Sequence, residues 1–225
     1  MNPVIEYYNS SIGKEQIVAL SGLILITFVI GHLAGNLTIY GGPDAFNHYA
    51  KKLAGFRPFL NYVEASLAII FIIHLLTTFL LVLQNWQARG TNRYENPNAS
   101  PTRSLATRLM PYSGIIVFSF VIWHLLDFTF ANHQGPRSVL SDGQSYGLYG
   151  VVVNSFLDPL HSIIYLIAMV AVGMHLIHGV SSVVQTFGFY HPFYTPIIKR
   201  ISTAFGLIVT FGYSSIPLYV LIFLK

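Results

Sequence analysis

The stretch IVALSGLILITFVIGHLAGN, residues 17–36, decides the fold of this chain. It is an apolar run about as long as the roughly 20 residues that an α-helix needs to cross a hydrocarbon core of about 30 Å. His32 stands near its end, at a depth where an imidazole ring must find a partner or remain costly to bury. The stretch therefore predicts a membrane-spanning helix and raises the question of what His32 binds.

The whole chain has the composition of an integral membrane protein. Of its 225 residues 53% are hydrophobic and 9% are charged, and the mean hydropathy is +0.59. A secretory signal is a poor interpretation of the first apolar run, which is too long and is followed by no small-residue cleavage motif. No internal repeat is evident. We predict one all-α domain over residues 1–225, a bundle of five transmembrane helices at about 16–40 (span I), 61–84 (II), 109–130 (III), 158–186 (IV) and 201–224 (V).

The loops add two short predictions. The first loop, GGPDAFNHYAKKLAGFRP, places apolar residues at helical spacing and predicts a short interfacial helix on the outer side. The third loop, 131–157, is long enough to be functional or to cover something. We expect Ser10 or Ser11 to cap span I and Asp158 to cap span IV, with Pro159 in its first turn.

The basic residues favour one orientation. Seven lie on the N-terminal side of the spans and five on the other side, so the positive-inside rule places the N-terminus in the cytoplasm. The formal net charge of +4 lies mostly in these loops, and no basic face indicates binding to nucleic acid.

The chain contains no cysteine, which limits the cofactors it could hold. Disulfides, thiolate metal sites, covalent haem attachment and iron–sulfur clusters are excluded for this chain. A bound metal must therefore use histidine.

Five of the nine histidines lie inside the predicted spans: His32 in I, His74 in II, His124 in III, and His175 and His178 in IV. Two imidazoles can bind one iron only from the same height on facing helices. Counted from the cytoplasmic end of each helix, His32 and His124 lie at heights of roughly 24 and 22 Å. The heights of the others are roughly 15 Å for His74, 16 Å for His175 and 12 Å for His178. The histidines therefore form two levels.

Two facing pairs predict two six-coordinate haem groups. Haem b fits the absence of cysteine, and two axial imidazoles leave the iron no open position, which suits electron transfer. Small residues near the ligands could admit a flat macrocycle: Gly31, Gly35, Gly173, Gly179, Ser21-Gly22 and Ser113-Gly114. Each histidine taken alone could instead hydrogen-bond a neighbouring helix, and each glycine could serve helix packing.

The motifs around these histidines resemble those of a known family. IGHLAGN, IIHLLTT, VIWHLLDF and MHLIHGVSSVVQTFG, together with LQNWQARGTNRY and KRISTAFG, are similar to the cytochrome b subunit, b558 type, of bacterial succinate dehydrogenase and fumarate reductase. The likeness covers most of the chain, and the spacing of the ligands is its specific part.

This resemblance implies a dihaem membrane anchor in the bacterial cytoplasmic (inner) membrane. It implies an iron–sulfur subunit and an FAD-containing flavoprotein as partners, which carry the clusters and the succinate chemistry, in a complex that could form a higher oligomer. By motif, His32 and His124 would bind the distal haem iron, and His74 and His175 the proximal haem iron near the iron–sulfur subunit. The family pattern favours His175 over His178, which shares its helix face.

A cytochrome fed by a soluble redox partner should pass electrons to a membrane quinone, menaquinone being the first candidate. Quinone chemistry also moves protons and needs titratable groups. The outer-side candidates are Asp127, Glu64 and His48, with Lys52 and His161 beside them. Asp127 comes first because it is ionisable within a span, although a solvated aspartate at headgroup level is the alternative.

Two positions depart from the family pattern. Gly173 stands where some members carry an acidic residue before the span IV ligand, and Ala54 stands where some carry an outer-loop glutamate used for quinol oxidation. A proton path of the kind proposed for those members is therefore doubtful here.

Haem propionates need hydrogen-bond donors. Near the inner ends of the spans Arg108 and Gln185 could donate, as could Lys14 and Gln84, and Trp123 or Arg57 could do so at the outer end. Such residues also serve as interface anchors.

The sequence thus predicts a subunit that carries electrons between an iron–sulfur subunit and quinone in succinate:quinone oxidoreductase. One alternative is the cytochrome b anchor of a hydrogenase or formate dehydrogenase, and a second is a proton-coupled transporter with a histidine relay. The transporter is disfavoured because the chain lacks paired inverted halves and the intramembrane acids that such relays usually include.

Overall fold

The computed structural model describes residues 3–89 and 105–224, in which no strand occurs. The eight α-helices are α1 (Pro3–Asn9), α2 (Ser11–Asn36), α3 (Gly42–Ala54), α4 (Phe59–Arg89), α5 (Leu105–His124), α6 (Gly147–Leu157), α7 (Pro159–Thr186) and α8 (Thr195–Phe223). A π-helical turn, Leu125–Thr129, continues α5, and short 3-10 segments follow α2 and precede α6.

Five of these helices are long and apolar enough to cross a membrane, as predicted: α2, α4, α5 with its π-helical turn, α7 and α8. The protein is therefore an all-α, multi-pass membrane bundle. In the most apolar windows of α4 and α5 only 6% of the residues are buried within the chain, against 33% in α7 and α8. The outward surface of α4 and α5 is consequently available to lipid or to bound groups.

The spans begin where local chemistry starts a helix. The backbone N–H of Gly13 donates to the Ser10 hydroxyl at 2.9 Å, so Ser10 is the cap and α2 starts at Ser11, earlier than expected. The backbone N–H of Leu160 donates to Asp158 Oδ1 at 2.9 Å, which confirms the predicted cap of α7.

The helices pack as α2 against α4, α5 against α7 and α7 most extensively against α8. At the last contact a Cβ added to Gly206 would lie 2.8 Å from the Gly173 carbonyl oxygen, and one added to Gly173 would collide with the Thr210 hydroxyl. Gly173 thus serves close helix packing rather than space for a macrocycle, which was the alternative interpretation of this glycine.

One end of the bundle is closed by α3 and α6; we call it the outer end, and the end where α2 begins the inner end. The helix predicted in the first loop is confirmed as α3, whose Phe46 is buried. The Asn47 amide donates to the Tyr146 carbonyl at 2.7 Å and its oxygen accepts from the Tyr149 backbone N–H at 3.1 Å. These bonds join α3 to the start of α6.

The third loop is partly helical. Residues of α6 form a core with α3 and α8 that includes Tyr149, Val153, Phe156, Phe46 and Val220. Before α6, the Tyr146 hydroxyl donates to Asp142 at 2.6 Å, which lowers the pKa of that carboxyl. The loop therefore covers the outer end, as its length suggested.

Candidate functional site

His32 on α2 and His124 at the end of α5 meet as the depth argument predicted. Their ring centroids are 5.7 Å apart and their planes lie at 85°. Each ring packs on a phenylalanine one turn earlier in its own helix: Phe28 at 5.3 Å and Phe120 at 5.6 Å between centroids. We call this the outer pair.

The surroundings of the outer pair are aromatic. Tyr213 lies 6.0 Å from His32, and Phe128 and Tyr165 lie 5.4 and 6.3 Å from His124, all between ring centroids. His124 Nδ1 is buried and has no hydrogen-bond partner in the described part of the chain. A buried imidazole nitrogen of this kind is suited to a ligand that the protein itself does not supply.

His74 on α4 and His175 on α7 form the inner pair. They lie close enough to interact electrostatically, but each ring makes its nearest polar contact with the neighbouring span. Ser21 Oγ of α2 lies 3.0 Å from His74 Nδ1, and Ser113 Oγ of α5 lies 3.3 Å from His175 Nδ1. His178, one turn further along α7, also interacts electrostatically with His175.

These serines reveal an internal repeat, contrary to the expectation of none. SGLILITFVIGHL, residues 21–33, and SGIIVFSFVIWHL, residues 113–125, are identical at eight of thirteen positions. In both segments the serine contacts the inner histidine of another span, and the histidine eleven residues later belongs to the outer pair. Spans I and III are thus equivalent in sequence and in contacts.

The sequence singles out Ser21 and Ser113 only as small residues that could make room for a macrocycle, and it does not predict their contacts with the inner histidines. Small polar residues are common at contacts between transmembrane helices, so a serine in one span does not by itself indicate which side chain it touches. Aligning residues 21–33 with residues 113–125 gives the signal, because both segments place a Ser-Gly dipeptide at the same distance before a histidine.

The spacing of the outer pair fits bis-imidazole ligation of haem iron, and the inner pair supplies two imidazoles from two other spans. Two imidazole nitrogens at about 2 Å from one metal place the ring centroids about 6 Å apart, close to the separation in the outer pair. No group of three or more His, Asp or Glu side chains suited to a metal occurs in residues 3–89 and 105–224, and a bis-imidazole site needs only two. A Cβ added to Gly31 or Gly179 would meet nothing within 4 Å, whereas one added to Gly35 would collide with the Tyr49 ring, so Gly35 serves packing against α3.

A polar cluster lies at the outer end, one turn beyond His124. Asp127, whose side chain is only 10% exposed, accepts from Arg137 Nη2 at 2.7 Å and from the Tyr165 hydroxyl at 2.9 Å. His161 Nε2 lies 2.8 Å from the same carboxylate oxygen that Tyr165 contacts. Arg137 also donates to the Ser155 hydroxyl of α6. We call these five residues the outer cluster.

The other two quinone candidates lie apart from the outer cluster. Glu64 forms an exposed ion pair with Arg57 at 3.2 Å, and His48 is exposed on α3. No hydrogen bond or ion pair of the described residues links either one to Asp127. The structure therefore singles out Asp127, with His161 beside it, from the candidates named by sequence.

The residues proposed to bind propionates are less defined. Gln185 is half-buried in the last turn of α7, and Lys14 is buried with Nζ donating to the Asn9 carbonyl at 2.7 Å. The Arg108 side chain and residues 90–104, which hold most of the second loop, lie outside the part that the structure describes.

Comparison of the chain with family models, curated proteins and solved structures gave no significant match. The geometry alone therefore supports a five-span bundle with two histidine pairs at two levels and a polar cluster at its outer end.

Proposed function

We propose that this chain is the dihaem cytochrome b membrane subunit of a succinate:quinone oxidoreductase, carrying electrons between an iron–sulfur subunit and a membrane quinone such as menaquinone. The observation that carries the proposal is the placement of four histidines from four different spans: His32 meets His124, and His74 and His175 each lie beside a serine eleven residues before one of those two histidines. Each level has the two imidazole donors that one haem iron needs.

In this proposal His32 and His124 hold the outer haem, and His74 and His175 hold the inner haem. Haem b with two axial imidazoles supplies one-electron transfer without an open coordination position. Phe28 stacks on His32 and Phe120 packs at a tilt against His124, and these contacts orient the outer rings. The apolar spans exclude water from both levels.

The outer cluster supplies the proton chemistry that a quinone requires. The Asp127 carboxylate is held by the Arg137 guanidinium, so it remains a charged acceptor at the edge of the membrane. Tyr165 and His161 share its other oxygen, which gives a short path along which a proton can be held or passed. Asp127 and His161 are therefore the residues we assign to quinone chemistry.

The inner end is the side proposed to meet the iron–sulfur subunit, because the N-terminus and the second loop are predicted to face the cytoplasm. The chain has no cysteine with which to hold an iron–sulfur cluster, so the clusters belong to a partner subunit, and the proposed flavoprotein partner carries FAD. In a bacterial cell the assembly would lie in the cytoplasmic membrane.

The proposal is tested by four alanine variants of the histidines in the purified complex. His32→Ala and His124→Ala should each remove the same one of two haems, and His74→Ala and His175→Ala should each remove the other. Haem content by pyridine haemochrome spectra and subunit content by mass spectrometry are the measurements. His178→Ala is the matched control and should keep both haems.

Three outcomes would overturn parts of the proposal. A colourless wild-type complex would exclude a cytochrome altogether. Unchanged haem in His175→Ala with a loss in His178→Ala would transfer the ligand role to His178. Co-purification with hydrogenase or formate dehydrogenase subunits, without a flavoprotein, would keep the haems and replace the partner.

A further inference from the structure

Two buried serines contact the inner histidines in equivalent ways. Ser21 is 6% exposed and Ser113 is 3% exposed, and each places its hydroxyl oxygen beside the Nδ1 atom of a histidine on another helix. The next residue in each helix is a glycine: a Cβ on Gly22 would lie 3.3 Å from His74 Cε1, and one on Gly114 would lie 3.6 Å from His175 Cε1. The Ser-Gly dipeptide thus brings a hydroxyl close to the ring with no side chain between them.

The direction of these hydrogen bonds follows from the other partners of the serines. Ser21 Oγ donates to the Ile17 carbonyl at 2.7 Å and lies 3.1 Å from the Val18 carbonyl. Ser113 Oγ donates to the Met110 carbonyl at 3.0 Å. With each hydroxyl hydrogen donated to a carbonyl, which can only accept, we assign the serine oxygen as the acceptor of a hydrogen bond from the ring.

The tautomer of the inner histidines is fixed as a result. Nδ1 carries the hydrogen in His74 and in His175, and the lone pair of Nε2 is left for a metal. The outer pair differs, because His124 Nδ1 has no hydrogen-bond partner in the described residues. The two levels therefore have different surroundings although their ligands are of the same type.

We propose that Ser21 and Ser113 are positioning residues that fix the tautomer and orientation of the inner ligands and lower the reduction potential of the inner haem. This inference rests on the dihaem function proposed above. A hydrogen bond accepted from the distal nitrogen of a metal-bound imidazole increases the basicity of the ligand. A more basic ligand favours the ferric iron, so the inner haem should be harder to reduce than it would be without the serines.

The test is a redox titration of the two haems in the intact complex, followed by optical absorption, for wild type, Ser21→Ala, Ser113→Ala and the double variant. The ferric-to-ferrous ratio of one haem at a fixed potential should fall by up to about tenfold in Ser113→Ala, the upper end of the net effect of one ordinary hydrogen bond. For a one-electron couple this is an upward shift of up to about 59 mV. Ser21→Ala should give a smaller shift, because the His74 ring also hydrogen-bonds the Val18 main chain.

Two further variants separate positioning from packing. Ser119 lies on α5 as Ser113 does, but it is exposed and its hydroxyl donates only to the Ile115 carbonyl at 3.0 Å. Ser119→Ala should therefore leave both potentials unchanged. Ser113→Thr keeps the hydroxyl and should retain most of the wild-type potential, whereas Ser113→Val lacks it and should shift the potential as Ser113→Ala does. Equal potentials in the threonine and valine variants would show that the serine only fills space.

The outcomes for this inference and for the proposed function are distinct. Two haems in the wild type with unmoved potentials in both alanine variants would overturn the role of the serines and leave the dihaem function standing. Movement of the haem that His32→Ala removes would also overturn the inference. A wild-type complex without two haems would overturn the function and, with it, this inference.

Discussion

The contact between the two histidines of the outer pair is predictable from residue type and from depth along each helix. His32 and His124 are at matching heights in the sequence, and their rings are 5.7 Å apart in the structure. The inner pair is less direct, because each ring is held by a serine from the neighbouring span. Depth along a helix is predictable from counting at about 1.5 Å per residue, whereas a hydrogen bond between spans depends on how the helices rotate against one another.

Asp127 is the residue on which the quinone proposal can be tested. Asp127→Asn removes the negative charge that pairs with Arg137 and the proton acceptor shared by Tyr165 and His161. Loss of a general acid or base slows proton transfer by about a hundredfold or more. We expect reduction of a menaquinone analogue by succinate to fall by about that factor, with both haem absorption bands retained.

Glu64→Gln is the matched control for that variant. Glu64 is also an outer-side carboxylate paired with an arginine, but its side chain is 49% exposed and lies outside the outer cluster. The Glu64→Gln variant should keep a quinone reductase activity within about twofold of wild type, since exposed ion pairs contribute little to stability. Equal activities in the two variants would contradict the assignment of Asp127.

At the scale of elements, the sequence predicts the five spans and α3 but not α6. The length of the apolar runs identifies the spans, because a membrane crossing needs about 20 apolar residues. Gly147–Leu157 is apolar as well, but its 11 residues are too few to cross a bilayer, so the sequence predicts a loop there. Its burial comes from α3 and α8, whose positions are set by the tertiary fold.

The contact of α7 with α8 gives a prediction about packing. A methyl group added at Gly173 would collide with the Thr210 hydroxyl and would lie 3.1 Å from the Gly206 carbonyl. Overpacking of this kind costs about 1–3 kcal/mol, so Gly173→Ala should lower the midpoint of thermal unfolding in detergent.

A double variant identifies the cause of that loss. Thr210→Ala removes the hydroxyl that the new methyl group would meet, at the expense of its 2.8 Å hydrogen bond to the Gly206 carbonyl. Gly173→Ala combined with Thr210→Ala should therefore be more stable than the sum of the single effects, with a coupling of about 0.5–3 kcal/mol. Strict additivity would show that the two side chains do not meet.

At the scale of the whole molecule, cysteine labelling can test which side of the membrane each end of the bundle faces. The chain has no cysteine, so single cysteines can be introduced without removing any native residue of that type. Asp44 on α3 and Gln87 near the end of α4 are both exposed and lie at opposite ends of the bundle. Cysteines introduced at these two positions would therefore report the two sides of the membrane.

The positive-inside rule predicts the labelling pattern of these variants. In spheroplasts, a membrane-impermeant maleimide should label Asp44→Cys at once and Gln87→Cys only after lysis. The opposite pattern would place the N-terminus outside and would move the proposed iron–sulfur contact to the other face.

The repeat in α2 and α5 has a consequence for distance. In both helices eleven residues separate the serine that touches the inner pair from the histidine of the outer pair, a rise of about 16 Å. Because a continuous hydrogen-bonded helix is rigid, the same eleven-residue spacing sets the height difference between the inner and outer histidines in both helices. In the proposed function this height difference sets the distance between the two haems. Inserting one residue between the serine and the histidine of either helix would rotate that histidine by about 100° around the helix axis. A change in the length of a loop would leave the eleven-residue spacing unchanged.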